Sequence, residues 1–412
     1  MPKIMSVALD NSSLLESTTA PTYAPYKPAW LIGDTRAPMP KWYLPAYFAA
    51  LVFSLALSRR HRITYSLPIV VALIAMLPFH TEGSFKKDFD LGNLVLGWFF
   101  FYLGLCFGAP ERMFWKNDGK SLTPDEREVD IRSKSLGERL QWSWAIWSNP
   151  RGLGWSHQAP GIKPVREGKW TFVAKKFMNW LLLSVAYDVL HLWYKHLMTT
   201  NMAPTWSIYH YPLYLQILIG VSNQFRIYCE IVSMHSLAAG ITVGLGIYKP
   251  AEWPPLVGSF ADAYRVSRFW GLVWHQLMRQ VADGGGSLMA MVIPFPKRSA
   301  LGSLMYLVGA FATTGLYHNI VNIFATGFRA GLHPCGDMAF VQQAFAIFVE
   351  RYAVDLVKKS GHASNVTGWK IFGYIWTAAA IGFTEIGWVE GLTRAGIWNV
   401  DLKVLGYVGF SM

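Results

Sequence analysis

A single histidine, His318, lies inside a long apolar run at residues 301–328. Thr314 and Asn322 lie four residues to either side of it, so in a helix the three polar side chains share one face. An ionisable side chain at membrane depth costs about 2.5 kcal/mol or more, so such residues are rare unless they have a partner or a function. The stripe therefore predicts either hydrogen bonds between membrane helices or a histidine that accepts a proton from a substrate hydroxyl.

A second histidine, His275, ends an aromatic and basic stretch upstream of this run. If the stretch is one helix, its aromatic residues fall on one side and its basic residues fall on another. The aromatic side comprises Phe260, Tyr264, Trp270 and Trp274, and the basic side comprises Arg268, His275 and Arg279. Because arginine binds phosphate in a bidentate way, the basic side would suit a thioester donor with a phosphorylated carrier. The alternative is an interfacial helix whose tryptophans and arginines anchor it among the lipid headgroups.

Other ionisable residues also interrupt the apolar runs. Asp188 and His191 lie one helical turn apart in one run, and Glu230 lies within another. Such groups either pair across a helix bundle or contact the oxygens of a substrate, and structural pairing is the favoured role. Asp188 is kept as a candidate substrate contact. Glutamates nearer the ends of the runs are expected to reach the headgroup region; these are Glu350, Glu385 and Glu390.

The composition predicts an integral membrane protein. Of the 412 residues, 52% are hydrophobic and only 15% are charged, which is unusually apolar for a chain of this length. Eight apolar runs are each near the roughly 20 residues that a spanning helix needs; they are 42–57, 63–79, 91–109, 177–198, 212–248, 301–328, 338–357 and 368–388. We expect an all-α, polytopic membrane protein with eight or nine transmembrane helices around a central reaction cavity. The run 212–248 is expected to break at 223–226, and 284–296 is a possible short re-entrant segment.

Residues 1–40 lack the layout of a signal peptide and are expected to form a flexible N-terminal tail. Residues 41–412 then form one transmembrane domain, with a cytosolic loop at 110–172 and an amphipathic segment at 250–284. The loop is expected to contain one short interfacial helix. The net charge of +12 comes largely from basic residues in short loops, which the positive-inside rule explains better than nucleic-acid binding. The endoplasmic reticulum is the expected membrane.

The three cysteines, Cys106, Cys229 and Cys335, have unrelated spacings. They form neither a metal-ligand pattern nor a disulfide framework. We expect ordinary packing roles for them, and neither a metal site nor a bound cofactor.

Two motifs give the chain a resemblance to a known family. Residues 255–264, continuing through 268–276, resemble the signature of the wax-synthase-like branch of the membrane-bound O-acyltransferases. Residues 314–318 are similar to that family's Ser-Gly-Leu-x-His element, with Thr314 where serine is common. Residues 149–152, Asn-Pro-Arg-Gly, are similar to a weaker family segment. The likeness covers roughly residues 143–388, and the two main elements occur in the family's order.

The resemblance implies transfer of an acyl group from acyl-CoA to an alcohol inside a multi-helix membrane cavity. His318 matches the family's catalytic histidine, and His275 occupies the position where more distant members carry an asparagine. Fungal members of this branch include acetyltransferases that modify terpenoid and meroterpenoid natural products. The resemblance thus implies an O-acetyltransferase with acetyl-CoA as co-substrate and a small hydrophobic alcohol as acceptor. A wax-ester synthase that uses long-chain acyl-CoA and a fatty alcohol is the alternative.

The residues themselves suggest a mechanism for such a reaction. A neutral His318 would accept the proton of the alcohol as it attacks the thioester carbonyl. His275, Asn322 or Tyr317 could donate a hydrogen bond to the developing oxyanion, and one such donor contributes roughly 3 kcal/mol. The candidate catalytic residues are His318 and His275, and the candidate substrate-binding residues are Trp270, Trp274, Arg268, Arg279, Asn322, Thr314 and Asp188.

Two other classes of membrane protein fit the sequence less well. A prenyltransferase would show clusters of aspartates that hold magnesium-bound diphosphate, and no apolar run here has two nearby aspartates at its mouth. A transporter would show repeated halves with broken helices in matching positions, and only one run here looks broken. The transporter remains the alternative from another class.

Overall fold

The structure is a computed structural model of the chain. It describes residues 35–116, 122–199, 207–293, 295–296, 299–328, 334–360, 366–398 and 402–405. Residues 1–34 of the expected tail, and the side chain of Cys335, lie outside the described part. Cys106 and Cys229 are buried, as packing residues should be.

Helices make up most of the described chain. Thirteen α-helical segments occur in it: α1 Tyr43–Ala56, α2 Arg59–His61, α3 Leu67–Ala75, α4 Phe85–Phe107, α5 Pro124–Ser133, α6 Leu136–Trp147, α7 Lys169–Thr199, α8 Leu213–Gly244, α9 Val266–Arg268, α10 Arg279–Val292, α11 Ala300–Ala325, α12 Pro334–Lys359 and α13 Val366–Arg394. One π-helical turn, Arg62–Ser66, joins α2 to α3, and another, Phe269–Val273, follows α9. Two short strands, β1 Ala37–Pro38 and β2 His80–Thr81, pair in parallel.

Four helical units within the described residues are long and apolar enough to cross a membrane. They are Arg59–Phe79, α4, α8 and α11. In the bundle, α7 packs on α8, α8 on α13, α13 on α12, and α12 on α11, which also contacts α4 and α10. The prediction of a helical integral membrane protein is confirmed at this level.

The expected break in the run 212–248 is wrong, because α8 is continuous from Leu213 to Gly244. Its polar residues pair inside the bundle instead of interrupting the helix. Arg226 Nη1 lies 3.4 Å from Glu230 Oε2, one turn along α8. Glu230 Oε1 in turn accepts a hydrogen bond from Lys86 Nζ of α4 at 2.7 Å. Glu230 therefore has the structural pairing role that the sequence favoured.

The expected form of the loop 110–172 is also wrong, because it contains two helices, α5 and α6. Each begins with a capping box, in which the N-cap hydroxyl and a glutamate three residues later satisfy each other's backbone N–H. The second helix packs on α1, where Trp147 Nε1 donates to the carbonyl of Leu51 at 2.8 Å. This loop is therefore anchored on the bundle.

Residues 35–40, which the sequence assigned to a flexible tail, are ordered against the rest of the chain. Residues 35–40 are attached to the bundle, since Ala37 and Pro38 pair with His80 and Thr81. Arg36 Nη2 also forms a buried ion pair with Asp88 Oδ2 of α4 at 2.7 Å.

Glycines allow close contacts between two pairs of helices that line the site, α10 with α11 and α8 with α13. An added Cβ at Gly285 of α10 would overlap Thr313 and the Gly309 carbonyl of α11. An added Cβ at Gly220 of α8 would overlap the backbone of Gly382 in α13. Small residues allow such close approach of membrane helices, which then gain packing contacts along their length.

The segment 250–284 is not the single amphipathic helix that the sequence predicted. It consists of the 3₁₀ turns Pro250–Glu252 and Phe260–Asp262, then α9 with its π-helical turn, and then α10 from Arg279 onward. The helix stops at Trp274, whose backbone is extended with ψ of 154°. Gln276 Nε2 donates to the Trp274 carbonyl at 2.8 Å and to the Trp270 carbonyl at 3.3 Å, which replaces bonds that a continuing helix would make.

Side chains from distant parts of the chain hold two points of this segment. Glu350 of α12 accepts hydrogen bonds from the backbone N–H of Val266 at 2.5 Å and from the Ser267 hydroxyl at 2.6 Å. Arg151 donates to the carbonyls of the two prolines at 254 and 255, at 3.1 and 2.7 Å. Burial lowers the pKa of Arg151 to about 10, so it remains charged at neutral pH. Glu350 is therefore a helix cap, and its predicted headgroup position is wrong.

Replacing Glu350→Gln should loosen the start of α9. The amide carries no charge, and hydrogen bonds to a charged group contribute about 1.5–3 kcal/mol, so we expect a lower Tm and a loss of about 2 kcal/mol in stability. The Tm of purified protein in detergent, and hydrogen exchange at the amides of Val266 and Ser267, measure this. Asp355→Asn, an exposed position on the same helix, is the matched control. Equal Tm values for the two variants would contradict the capping role.

Candidate active site

The two candidate catalytic histidines line one cavity of about 350 Å³. Its walls come from α8, α10, α11, α12 and α13, together with residues 267–276. Four of the candidate substrate-binding residues also line it: Trp270, Trp274, Arg279 and Thr314. Leu307 and His318, both in the lining, are eleven residues apart on α11, so the cavity extends about 16 Å along that helix.

Aromatic rings fix the position of His318. Its imidazole stacks on Phe340 of α12, with centroids 4.8 Å apart and an interplanar angle of 8°. Trp388 of α13 packs on it at 5.2 Å. The Nδ1 atom is buried and has no hydrogen-bond partner among the described residues. Packing against Phe340 and Trp388 therefore orients this ring.

His275 lies in the extended stretch directly after the π-helical turn. Its ring is 5.2 Å from the Trp274 ring, and its Nδ1 is also buried with no partner in the described part of the chain. The turn before it is secured by Trp274 N–H, which donates to the Phe269 carbonyl at 2.7 Å. The helix break at Trp274 is thus what brings His275 to the cavity.

A hydrogen-bond chain links three walls of the cavity. Trp270 Nε1 donates to Gln343 Oε1 of α12 at 3.0 Å. Gln343 Nε2 in turn donates to the Thr384 hydroxyl of α13. This chain holds the Trp270 indole in place against α12 and α13.

Arg279 lines the cavity and also braces the turn beside it. Its guanidinium donates to Gln276 Oε1 at 2.9 Å and to the Gly271 carbonyl at 3.2 Å. Arg351 of α12 lines the same end of the cavity and donates to the Ser303 hydroxyl at 2.6 Å. Arg351 was not identified as a site residue from the sequence, because nothing in its spacing relates it to Arg279.

Three candidate residues lie elsewhere. Arg268 pairs with Asp262 and stacks over the Tyr264 ring at 4.9 Å. Asn322 borders a separate small space on the other side of His318. The carboxylate of Asp188 is fully buried and accepts backbone N–H groups of Lys403, Val404 and Leu405 at 2.7, 2.7 and 2.9 Å. These contacts anchor the C-terminal segment and replace the substrate contact that the sequence suggested for Asp188.

Two further polar residues, which were not assigned to the site from the sequence, line the cavity. Gln224 of α8 and Glu385 of α13 both face it and are both buried. The predicted headgroup position of Glu385 is wrong, as is that of Glu390, whose carboxylate accepts the Ile208 N–H at 2.9 Å. A glutamate within an apolar run is the signal that could have identified Glu385. Among the described residues, no group of three His, Cys, Asp or Glu side chains is placed to hold a metal ion.

Comparison with known proteins finds a family match over part of the chain that lines this cavity. Residues 253–343 match the model of the family described as "Membrane bound O-acyl transferase family". This range includes both cavity histidines and the π-helical turn between α9 and His275. Its last residue is Gln343, which accepts the hydrogen bond from Trp270. The match therefore covers much of the cavity wall.

Several curated proteins are similar to most of the chain. Acetyltransferase eriL of Hericium erinaceus is 24% identical over 89% of this chain and 94% of its own length. Acetyltransferase sirH of Leptosphaeria maculans is 24% identical over 86% of this chain and 91% of its own length. O-Mevalon transferase macI of Penicillium terrestre is 30% identical over 64% of this chain and 62% of its own length. No solved structure matches the chain.

The family match spans the segment that carries both histidines, and the structure joins those histidines in one cavity between membrane helices. Over this segment, the chain is similar to the membrane-bound O-acyltransferase family.

Proposed function

We propose that this enzyme transfers an acetyl group from acetyl-CoA to a hydroxyl of a hydrophobic terpenoid or meroterpenoid natural product. The observation that carries the proposal is the shared cavity of His275 and His318. The names of relatives that align over most of the chain support the acetyl group. The assignment of the acceptor as a terpenoid or meroterpenoid rests on the resemblance of the sequence motifs to the fungal members of the family.

The chemistry follows from the positions of the two rings. Nε2 of His318 accepts the proton of the acceptor hydroxyl while its oxygen attacks the thioester carbonyl. The carbonyl becomes an oxyanion, and a ring N–H of His275 donates a hydrogen bond to it. When the intermediate collapses, the thiolate of CoA leaves and takes the proton from His318. The products are the acetate ester and free CoA.

The arginine end of the cavity suits the CoA donor. Arg279 and Arg351 line the cavity near Tyr306, about three helical turns of α11 before His318. Guanidinium groups bind phosphate oxygens well, so the phosphates of CoA would stay at this end while the thioester reaches the histidines. The surrounding helices exclude bulk water, which would otherwise hydrolyse the thioester.

The proposal includes eight spans in the endoplasmic reticulum membrane. Besides the four most apolar units, α7, α12 and α13 have 31, 26 and 29 residues and exceed the thickness of a bilayer core. The shorter apolar helix α1 is the eighth. This topology puts the segment 249–299 and the arginine end of the cavity on the cytosolic side.

Replacing His318→Ala should reduce kcat by about 10²–10⁴-fold, since this is the usual contribution of a general base. Release of free CoA from acetyl-CoA in the presence of an alcohol measures the rate. His61→Ala, at an exposed histidine, should keep wild-type activity. A normally folded His318→Ala protein that turns over at the wild-type rate would refute the proposal, and uptake of the alcohol without CoA release would favour a transporter.

The role of His275 is tested by two substitutions at one position. His275→Ala removes the oxyanion donor and should lower kcat by about 10²–10³-fold. His275→Asn restores an N–H donor, so it should recover part of that loss. Steady-state kcat values for both variants decide the matter. If the asparagine variant is no faster than the alanine variant, hydrogen-bond donation is not what His275 supplies.

Acyl-donor preference should favour the short chain. Phe340 and Trp388 both pack on the His318 ring, which limits the room beside the reacting carbonyl. We expect kcat/KM for acetyl-CoA to exceed that for palmitoyl-CoA by about 10-fold or more. A competition assay with both donors measures the ratio. A preference for palmitoyl-CoA would replace this proposal with the wax-ester alternative.

A further inference from the structure

One buried carboxyl group in the cavity has no role in the reaction described above. Glu385 of α13 is only 3% exposed and lines the same cavity as His318. The Asn223 carboxamide of α8 is close to it. Even so, Glu385 Oε2 and Asn223 Nδ2 both lack a hydrogen-bond partner of acceptable geometry among the described residues.

The other buried carboxylates of the described chain are all partnered. Three of them accept hydrogen bonds from backbone N–H groups; these are Asp188, Glu350 and Glu390. The other two, Asp88 and Glu111, form ion pairs with arginines. Because a buried polar group without a partner is unfavourable, Glu385 Oε2 can gain stability by accepting a hydrogen bond in this cavity.

Glu385 lies near a close contact of two helices. The backbones of α8 and α13 meet at Gly220 and Gly382. The two helices run in opposite directions, since Ile208 before α8 donates to Glu390 near the end of α13. Glu385 is one turn along α13 from the glycine contact, and Gln224 of α8 lines the same cavity.

The same face of α13 connects Glu385 to the reaction centre. Glu385 and Trp388 are three residues apart, so their side chains are neighbours on the helix. The Trp388 ring packs on His318 at 5.2 Å. An acceptor whose reacting hydroxyl lies at His318 can therefore reach Glu385 with a second group that is a few bonds away.

We propose that Glu385 forms a subsite that binds a second hydroxyl group of the acceptor. This inference rests on the proposed function and names the acceptor class as a diol or polyol. A hydroxyl suits Glu385 because it can donate a hydrogen bond to the unpartnered carboxyl oxygen.

The test compares matched acceptors on the purified full-length enzyme. The probes are the alkanediols from 1,4-butanediol to 1,10-decanediol and the 1-alkanols of the same lengths, with acetyl-CoA as donor. For the best-fitting length, kcat/KM of the wild type should be about 10-fold or more higher for the diol. In Glu385→Leu this ratio should fall to about 2 or less, mainly through KM, and Glu385→Gln should recover part of it.

Glu390→Gln, on the same helix but with a partnered side chain, is the matched control and should keep the wild-type ratio. A wild type that does not distinguish diol from alkanol at any length overturns the inference. A Glu385→Leu enzyme that loses activity equally on both acceptors also overturns it, since that result indicates a purely structural role.

A binding measurement separates this inference from the proposed reaction. In the His318→Ala protein, the best diol should raise the Tm more than its matched 1-alkanol, and adding Glu385→Leu should remove the difference. That result supports the subsite whether or not the wild type releases CoA. A wild type that releases no CoA would refute the acetyl-transfer proposal alone. Equal shifts for diol and alkanol in the His318→Ala protein overturn the subsite.

Discussion

The end of the helix at Trp274 is the constraint that sets the geometry of the whole site. If the helix continued past this residue, His275 would lie at a different angle around the helix axis. Its side chain would then no longer point into the cavity. Glu350 fixes where the helix starts, and Gln276 satisfies the carbonyls where it stops. The position of His275 is therefore set by residues that never need to touch a substrate.

The two histidines are held by different means. His275 follows from backbone geometry and the hydrogen bonds of its neighbours, whereas His318 is held by stacking between α12 and α13. Aromatic packing leaves Nε2 of His318 free of competing hydrogen bonds from the described residues. Under the proposed mechanism, this nitrogen accepts the proton of the incoming hydroxyl.

The sequence was sufficient for the class of protein and for the choice of His318 and His275 as candidate site residues. The apolar runs and the motif spacing carry that information, because both depend on local chain properties. The continuity of α8 could not be foreseen, since Arg226 and Glu230 are tolerated only through partners such as Lys86 on another helix. The same is true of Glu385, whose environment depends on the close contact of α8 with α13. Long-range pairing decides whether a charged residue ends a helix, caps one or faces a cavity.

An electron microscopy structure of the enzyme in lipid nanodiscs, with CoA and an alcohol bound, is the sharpest test of the shared cavity as the place of reaction. We expect the CoA sulfur and the alcohol oxygen to meet between the rings of His275 and His318, with the CoA phosphates toward Arg279 and Arg351. Density for CoA outside this cavity, or a His318 ring turned toward lipid, would contradict that arrangement.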